Sequence, residues 1–192
     1  MGKGRLEALS DGVIAVIITI MVLELKVPRE TGLQALAPLL PVFLNYVLSF
    51  VYVGIYWNNH DNMLHAVQRV NGRALWANLH LLFWLSLVPF VTGWVNENHF
   101  AAVPMALYGV VLLMASVSYY LLERVLIAQH VGDSALARAM GKDVKSVISL
   151  VIYVVAIPLT FVSVWISCAL YVLVAIMWFN PDPRIERALP EA

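Results

Sequence analysis

An arginine, a serine and an aspartate stand just before the first apolar stretch of the chain. Arg5, Ser10 and Asp11 lead into residues 12–23, in which Thr19 is the only polar side chain. Unpaired charge is costly at membrane depth, so ionisable groups there usually mark a transport pathway or a buried polar network. A simpler interpretation is helix capping, because Ser and Asp are favoured in first turns, where free backbone N–H groups need acceptors.

Composition assigns the chain to the membrane proteins. Of its 192 residues, 61% are hydrophobic and only 12% are charged, whereas a soluble domain carries about 25% charged residues. The formal net charge is zero, which argues against a nucleic-acid partner. A single cysteine, Cys168, excludes an intrachain disulfide and a cysteine metal site. The six tryptophans and eight tyrosines are interpreted as residues of the two water–lipid interfaces.

Polar segments divide the sequence into apolar blocks that predict six membrane-spanning helices in one domain. The last block, residues 144–179, holds 36 residues, and one helix of that length would measure about 54 Å against a hydrocarbon core of about 30 Å. Pro158 disfavours helical geometry in the residue before it, which predicts two helices that meet near residues 157–161. The predicted spans are residues 9–25, 33–57, 74–95, 100–127, 144–158 and 161–179, followed by a short cytoplasmic tail at residues 180–192.

The distribution of positive charge predicts the orientation of these spans. When the six spans cross the membrane in chain order, ten of the twelve Lys and Arg residues lie on one side of it. Only Lys26 and Arg29 lie on the other side. Because cytoplasmic loops carry an excess of Lys and Arg, both termini are predicted to lie in the cytoplasm. Glu24 then lies at the extracellular end of the first span, where it either attracts cations or pairs with the nearby Lys26.

Helical spacing defines one stripe on the first span. At about 100° per residue, the positions that share this stripe are Gly12, Val16, Thr19, Ile20 and Leu23. Asp11 projects about 140° away from Val16, so these two residues face different surroundings. Branched residues at helical spacing are also what ordinary core packing produces, and that alternative stays open from the spacing alone.

Polar residues elsewhere could hold the first span in place. The candidates lie on the third span and at the end of the second: Trp57, Asn58, His60, Asp61, Trp76, Asn78 and His80. In the six-span arrangement all of them lie on the cytoplasmic side, at the same depth in the membrane as Asp11. This agreement favours a polar network over simple helix capping. His80 alone is either a satisfied structural group or a pH-sensitive one. His60 and His65 are also expected to lie in a solvated loop, and no ligand spacing predicts a metal site.

The segment Arg5-x-x-x-Leu9-Ser10-Asp11 resembles the R-x-x-x-F-S-D signature of the lysosomal potassium channel family (the transmembrane protein 175 family) and its bacterial relatives. Leu9 stands where the family has phenylalanine. The following residues, through Leu23, are similar to the first helix of the bacterial branch. The resemblance implies a potassium-selective channel of the bacterial plasma membrane in which four copies surround a pore lined by the first helix, with K⁺ as the permeant ion and no cofactor.

The resemblance also implies roles for individual residues. It places aliphatic constrictions of the pore at Val16, Ile20 and Leu23, and a contribution to selectivity at Thr19. It assigns the signature residues Arg5, Ser10 and Asp11 to assembly and gating. His80, at matching depth on the third span, is predicted to complete their network. A narrow apolar pore can gate by dewetting. Because potassium holds its hydration shell less tightly than sodium, forced partial dehydration favours potassium.

Other functions are weighed against the channel. The sequence has no T-V-G-Y-G or re-entrant segment that would build a carbonyl selectivity filter. A secondary or proton-coupled transporter that uses Asp11 and His80 is the first alternative, and a membrane scaffold without transport is the second. Enzyme motifs such as G-x-S-x-G, H-E-x-x-H and the P-loop are absent from the sequence.

Overall fold

The computed structural model of the protein describes residues 2–29, 31–67, 69–129 and 144–179. The predicted tail at residues 180–192 and four of the basic residues used for the orientation, Arg138, Lys142, Arg184 and Arg187, lie outside the described residues. All regular structure in the described ranges is helical. The α-helices are α1 Lys3–Leu23, α2 Leu40–His65, α3 Gly72–Ser86, α4 Val88–Glu97, α5 Ala102–Gln129, α6 Val144–Leu159 and α7 Val164–Phe179, and a 3-10 helix at Leu33–Leu39 precedes α2.

The apolar helices of the described ranges fall into two groups by length. Four of the described stretches are long and apolar enough to span a bilayer: Lys3–Leu23, Leu33–His65, Gly72–Glu97 and Ala102–Gln129. Helices α6 and α7 are also apolar but contain 16 residues each, about 24 Å of helix. Helix α1 starts at Lys3, ahead of the predicted start at residue 9. Its first turns therefore carry the signature residues, and the apolar stretch follows in the same helix.

The third predicted span is interrupted, in contrast to the single helix expected from the sequence. Helix α3 ends at Ser86 and α4 begins at Val88, so the break falls at Leu87. Pro89 causes it, because proline has no N–H to donate to the Leu85 carbonyl and its ring crowds that oxygen. At the break, the Leu87 N–H donates to the carbonyl oxygen of Trp84, three residues earlier, at 3.2 Å.

Helices α6 and α7 form a hairpin whose turn is held by hydroxyl groups. Helix α6 ends at Leu159, just after Pro158, and α7 starts at Val164. The carbonyl oxygen of Ala156 accepts hydrogen bonds from Thr160 Oγ1 at 3.1 Å and from Ser167 Oγ of α7 at 2.7 Å. Thr160 and Ser167 are at most 1% exposed, so these bonds pair hydroxyl groups that are buried in the turn.

Buried tyrosines join α2, α5, α6 and α7. Tyr52, Tyr108, Tyr153 and Tyr171 are each at most 2% exposed, so the expectation that tyrosines lie at the membrane interfaces is wrong for these four. The Tyr52 hydroxyl donates to the Tyr171 carbonyl oxygen, and Tyr153 Oη donates to Tyr52 Oη at 3.3 Å. Interhelical hydrogen bonds of this kind replace the hydrophobic driving force that is missing between helices in lipid.

Gly109 on α5 is required by this tyrosine core. A Cβ at Gly109 would collide with Tyr171 Oη and lie 3.0 Å from Ile157 Cγ1. We expect Gly109→Ala to lower the free energy of unfolding by about 1–3 kcal/mol, measured as a lower thermal midpoint in detergent. The matched control is Gly54→Ala, because the Cβ position of that mid-helix glycine is open and alanine has the better helix propensity. Equal losses in both variants would show that the collision is not the cause.

Candidate functional site: the first helix and its polar network

Helix α1 presents two different faces. One face is buried against α2, α3 and α4 and carries Leu6, Ser10, Ile14, Ile17 and Met21. The opposite face contains the predicted stripe, and Val16, Ile20 and Leu23 are 54%, 44% and 77% exposed. Gly12 and Thr19 on the same stripe are exposed as well. The stripe is therefore not part of the protomer's own core, and ordinary core packing does not explain it.

The hydroxyl of Thr19 is oriented by its own helix. Thr19 Oγ1 donates a hydrogen bond to the Val16 carbonyl oxygen at 2.9 Å. Its single proton is used in that bond, so the oxygen lone pairs are what the hydroxyl can offer to its exposed surroundings. An oxygen acceptor on an otherwise aliphatic surface is the type of group that contacts a cation or a water molecule of its hydration shell.

An open groove of about 650 Å³ runs beside the stripe. Helix α1 contributes Leu9, Val16 and Ile20 to its lining, and α4 contributes Pro89 and Phe90. The break at Leu87 positions this part of α4, because Pro89 and Phe90 follow it directly. The exposed surface of α1 thus continues into an apolar surface of α4.

The buried face of α1 carries a hydrogen-bonded chain that crosses three helices. Asn78 Nδ2 of α3 donates to Ser10 Oγ at 3.0 Å, and Ser10 Oγ donates to the Leu6 carbonyl oxygen at 2.9 Å. His60 Nε2 of α2 lies 2.6 Å from Asn78 Oδ1 and is the donor, since an amide oxygen only accepts. Ser10, Asn78 and His60 are at most 2% exposed. This chain fixes the rotation of α1 about its own axis, because a rotated helix would leave buried polar groups unpaired.

The two charged signature residues lie outside that chain. Asp11 Oδ1 accepts a hydrogen bond from Trp57 Nε1 of α2 at 2.9 Å on an exposed edge of the protomer. Arg5 is exposed, and its guanidinium group has no hydrogen-bond or ionic partner among the described residues. Because α1 begins at Lys3, Ser10 and Asp11 lie well inside the helix, so the capping interpretation is wrong.

His80 belongs to a separate cluster between α3 and α5. Trp84 Nε1 donates to His80 Nε2 at 3.1 Å, and His80 Nδ1 lies 2.8 Å from Ser118 Oγ. Ser118 Oγ donates its own proton to the Met114 carbonyl oxygen at 2.6 Å, so His80 Nδ1 is the donor to Ser118. These contacts fit a neutral imidazole protonated on Nδ1. No hydrogen-bonded chain within the described part of the protein joins His80 to Ser10 or Asp11.

The placement of His60 corrects the expectation of a solvated loop. Helix α2 continues to His65, and His60 is only 2% exposed. His65, by contrast, is an exposed residue that pairs with Asp61, its Nδ1 lying 3.2 Å from Asp61 Oδ1. The sequence did carry a signal for the longer helix, because Met63 and Leu64 continue the helical spacing of buried positions on α2.

Beyond the C-terminal end of α1, the structure gives two acidic residues different surroundings. Lys26 Nζ lies 2.9 Å from Glu97 Oε1 at the end of α4. Lys26 is therefore paired with Glu97, and the alternative in which it pairs with Glu24 is wrong.

Asn78 is expected to be the most sensitive member of the buried chain. Asn78→Leu removes the donor to Ser10 and leaves the His60 N–H buried without an acceptor, so we expect a loss of about 2 kcal/mol in folding free energy. The measurement is the thermal midpoint in detergent. Asn58→Leu is the control, because Asn58 is exposed on α2 and its side chain has no hydrogen bond among the described residues. If both variants melt alike, the chain does not stabilise the protomer.

Comparison with known proteins adds independent evidence. Residues 5–89 match the family model described as endosomal/lysosomal potassium channel TMEM175. A potassium channel of Chryseobacterium sp. (strain P1-3) is 52% identical over 191 residues, which cover 100% of both chains. A potassium channel of Streptomyces collinus is 31% identical over 202 residues, and the match covers 98% of each chain.

A solved structure supports the same relationship. The crystal structure of a lysosomal potassium-selective channel TMEM175 homolog from Chamaesiphon minutus superposes with a TM-score of 0.80. The match covers 98% of each chain at 28% sequence identity. The predicted all-α membrane bundle is thereby confirmed. Sequence, length and fold agree, and the chain belongs to the TMEM175 family.

Proposed function

We propose that this chain is a potassium-selective channel and not an enzyme, and that its pore forms between copies of the chain. The family consists of membrane-embedded, oligomeric channels, and relatives that match over the full length are named potassium channels. The chain is an integral membrane protein, as its long apolar helices require.

The observation that carries the proposal is the uncovered face of α1. Val16, Ile20 and Leu23 lie on the protomer surface together with the polar Thr19. The cavity among the buried tyrosines of the protomer measures about 20 Å³, room for about one water molecule, so it offers no route for a hydrated ion. A pore between copies gives the exposed stripe a function and gives Thr19 and the charged start of α1 polar surroundings that lipid would not provide.

In this proposal, rings of aliphatic side chains form the gate and the filter. Val16, Ile20 and Leu23 are spread over about 10 Å of helix. Copies arranged around an axis would close this length into a narrow apolar tube, which excludes water and therefore ions until the helices rotate or spread. Because potassium sheds hydration water more readily than sodium, such a tube passes potassium in preference. The Thr19 oxygen contributes a local acceptor for the ion or its waters.

The proposed assembly is a homotetramer in the bacterial plasma membrane, with both termini in the cytoplasm. The excess of Lys and Arg on one side of the six spans supports the orientation. The chain of Ser10, Asn78 and His60 would hold the stripe of each copy toward the axis. Arg5, Asp11 and His80 would act in assembly and gating, since all three are exposed on the protomer.

Reconstitution in liposomes tests the function directly. A channel produces single-channel currents whose reversal follows the potassium Nernst potential, and cross-linked subunit counting should give four. A carrier that uses Asp11 and His80 would instead show saturable, proton-coupled flux, and a scaffold would show none. Either of these two results would overturn the proposal.

A further inference from the structure

Glu24 occupies an electrostatically unfavourable position. It is the C-cap residue of α1 and directly follows Leu23, the last residue of the exposed stripe. The C-terminal end of a helix carries partial negative charge, so a carboxylate there is disfavoured and a basic residue is preferred. The last turn of α1 contains no basic residue. Two sources of negative potential therefore coincide at this end of the helix.

No cation neutralises this carboxylate within the described part of the chain. Lys26, two residues away, has its Nζ 2.9 Å from Glu97 Oε1 instead. Among the described residues, Glu24 has no hydrogen-bond donor or ionic partner. The negative charge thus stays available to ions from the extracellular solution.

A glycine on α4 accommodates the Glu24 side chain. A Cβ at Gly93 would collide with the Glu24 carboxylate, so only glycine lets the carboxylate lie directly against α4. Gly93 is buried, and Glu24 is partly exposed and lines the same groove as Val16 and Ile20. Both α1 and α4 therefore determine where the charge lies.

We propose that Glu24 and the C-terminal end of α1 form a cation-recruiting site at the extracellular mouth of the pore. The inference rests on the proposed function, because the pore must run along the stripe that Glu24 follows. Carboxylate and carbonyl oxygens are suitable ligands for alkali cations, and rings of acidic side chains are a known device of cation channels. The site raises the local potassium concentration before the ion meets the aliphatic constriction.

Single-channel recording at two salt concentrations tests the site. At about 0.01 M K⁺ the screening length is about 30 Å, whereas at about 1 M it is about 3 Å. We expect E24Q, which keeps the side-chain shape, to reduce inward current by about twofold or more at the low concentration and to approach the wild type at the high one. We expect E24D to keep most of the low-salt current.

The control is E97Q, which removes the same charge at the same membrane surface from a residue already paired with Lys26. We expect its inward current at low salt to fall less than that of E24Q, because Glu97 is not among the residues that line the groove. Wild-type current in E24Q at low salt would overturn the inference, and so would an equal reduction in E24Q and E97Q, which indicates diffuse surface charge. If the wild-type protein itself carried no potassium current, the proposed function would fail instead, so the two failures are distinguishable.

Discussion

Asparagine in place of Ile20 is expected to lower the permeability ratio of potassium to sodium by about tenfold, equivalent to about 1.4 kcal/mol in relative barrier height. Ile20 is 44% exposed on the stripe of α1. The amide brings donors and acceptors into the aliphatic tube, so water enters and sodium passes without losing its hydration shell. Reversal potentials under mixed potassium and sodium gradients measure the ratio directly, and the closed-state leak should rise in the same recordings.

The neighbouring positions sharpen this test. Val16→Asn and Leu23→Asn should act in the same direction as the Ile20 variant, because all three residues lie on one stripe. Val22→Asn is the matched control, since Val22 is also exposed on α1 but projects about 120° away from Val16. Unchanged selectivity in all three stripe variants, or an equal change in the control, would remove the stripe from the pore.

The faces of α1 were predictable because a single period controls them. Helical spacing alone grouped Val16, Ile20 and Leu23, and the structure leaves this group exposed on the protomer. Spacing does not reveal whether an exposed aliphatic face meets lipid or a pore, since both surroundings accept the same residue types. That part of the site depends on contacts between copies, which one sequence does not encode in any local pattern.

The partner of Ser10 illustrates a second limit. Asn78 and His80 are two positions apart on α3, so their side chains point about 160° apart around the helix. Asn78 faces α1 and bonds to Ser10, whereas His80 bonds to Ser118 of α5. Both residues are predicted to lie at the same depth in the membrane as Asp11, so depth alone does not distinguish them. Only the packing of α3 between α1 and α5 decides which of them joins the network.

Of the two prolines beside helix breaks, Pro158 and Pro89, only Pro158 predicts its break from the sequence. Pro158 lies in a block too long for one span, so length and proline together predicted the division that now separates α6 from α7. Pro89 lies in a block of ordinary span length, so the length of that block gives no sign of the break between α3 and α4. The buried tyrosines were missed for a similar reason, because an amphipathic ring suits an interface as well as a hydrogen-bonded core.

Alanine at Arg5 is expected to weaken subunit assembly, with about a tenfold rise in the subunit dissociation constant, or about 1.4 kcal/mol. The reason is that Arg5 is exposed without a partner among the described residues of its own protomer, and an unpaired guanidinium at membrane depth is costly. A group on a neighbouring copy is then the partner that the proposal requires. Size-exclusion profiles and cross-linked subunit counts in detergent measure the effect. Arg73→Ala is the control, because Arg73 is likewise exposed and unpaired among the described residues.

Asp11 allows charge to be separated from hydrogen bonding in the same assay. Asp11→Asn keeps an oxygen that can accept from Trp57 Nε1, whereas Asp11→Ala removes both the charge and the acceptor. If the carboxylate acts between copies, both variants should lose tetramer and potassium current to a similar degree. If it only holds Trp57 on α2, the asparagine variant should behave like the wild type. Wild-type oligomers and currents in Arg5→Ala and Asp11→Ala together would restrict the signature to packing within one protomer, where Ser10 accepts a hydrogen bond from Asn78.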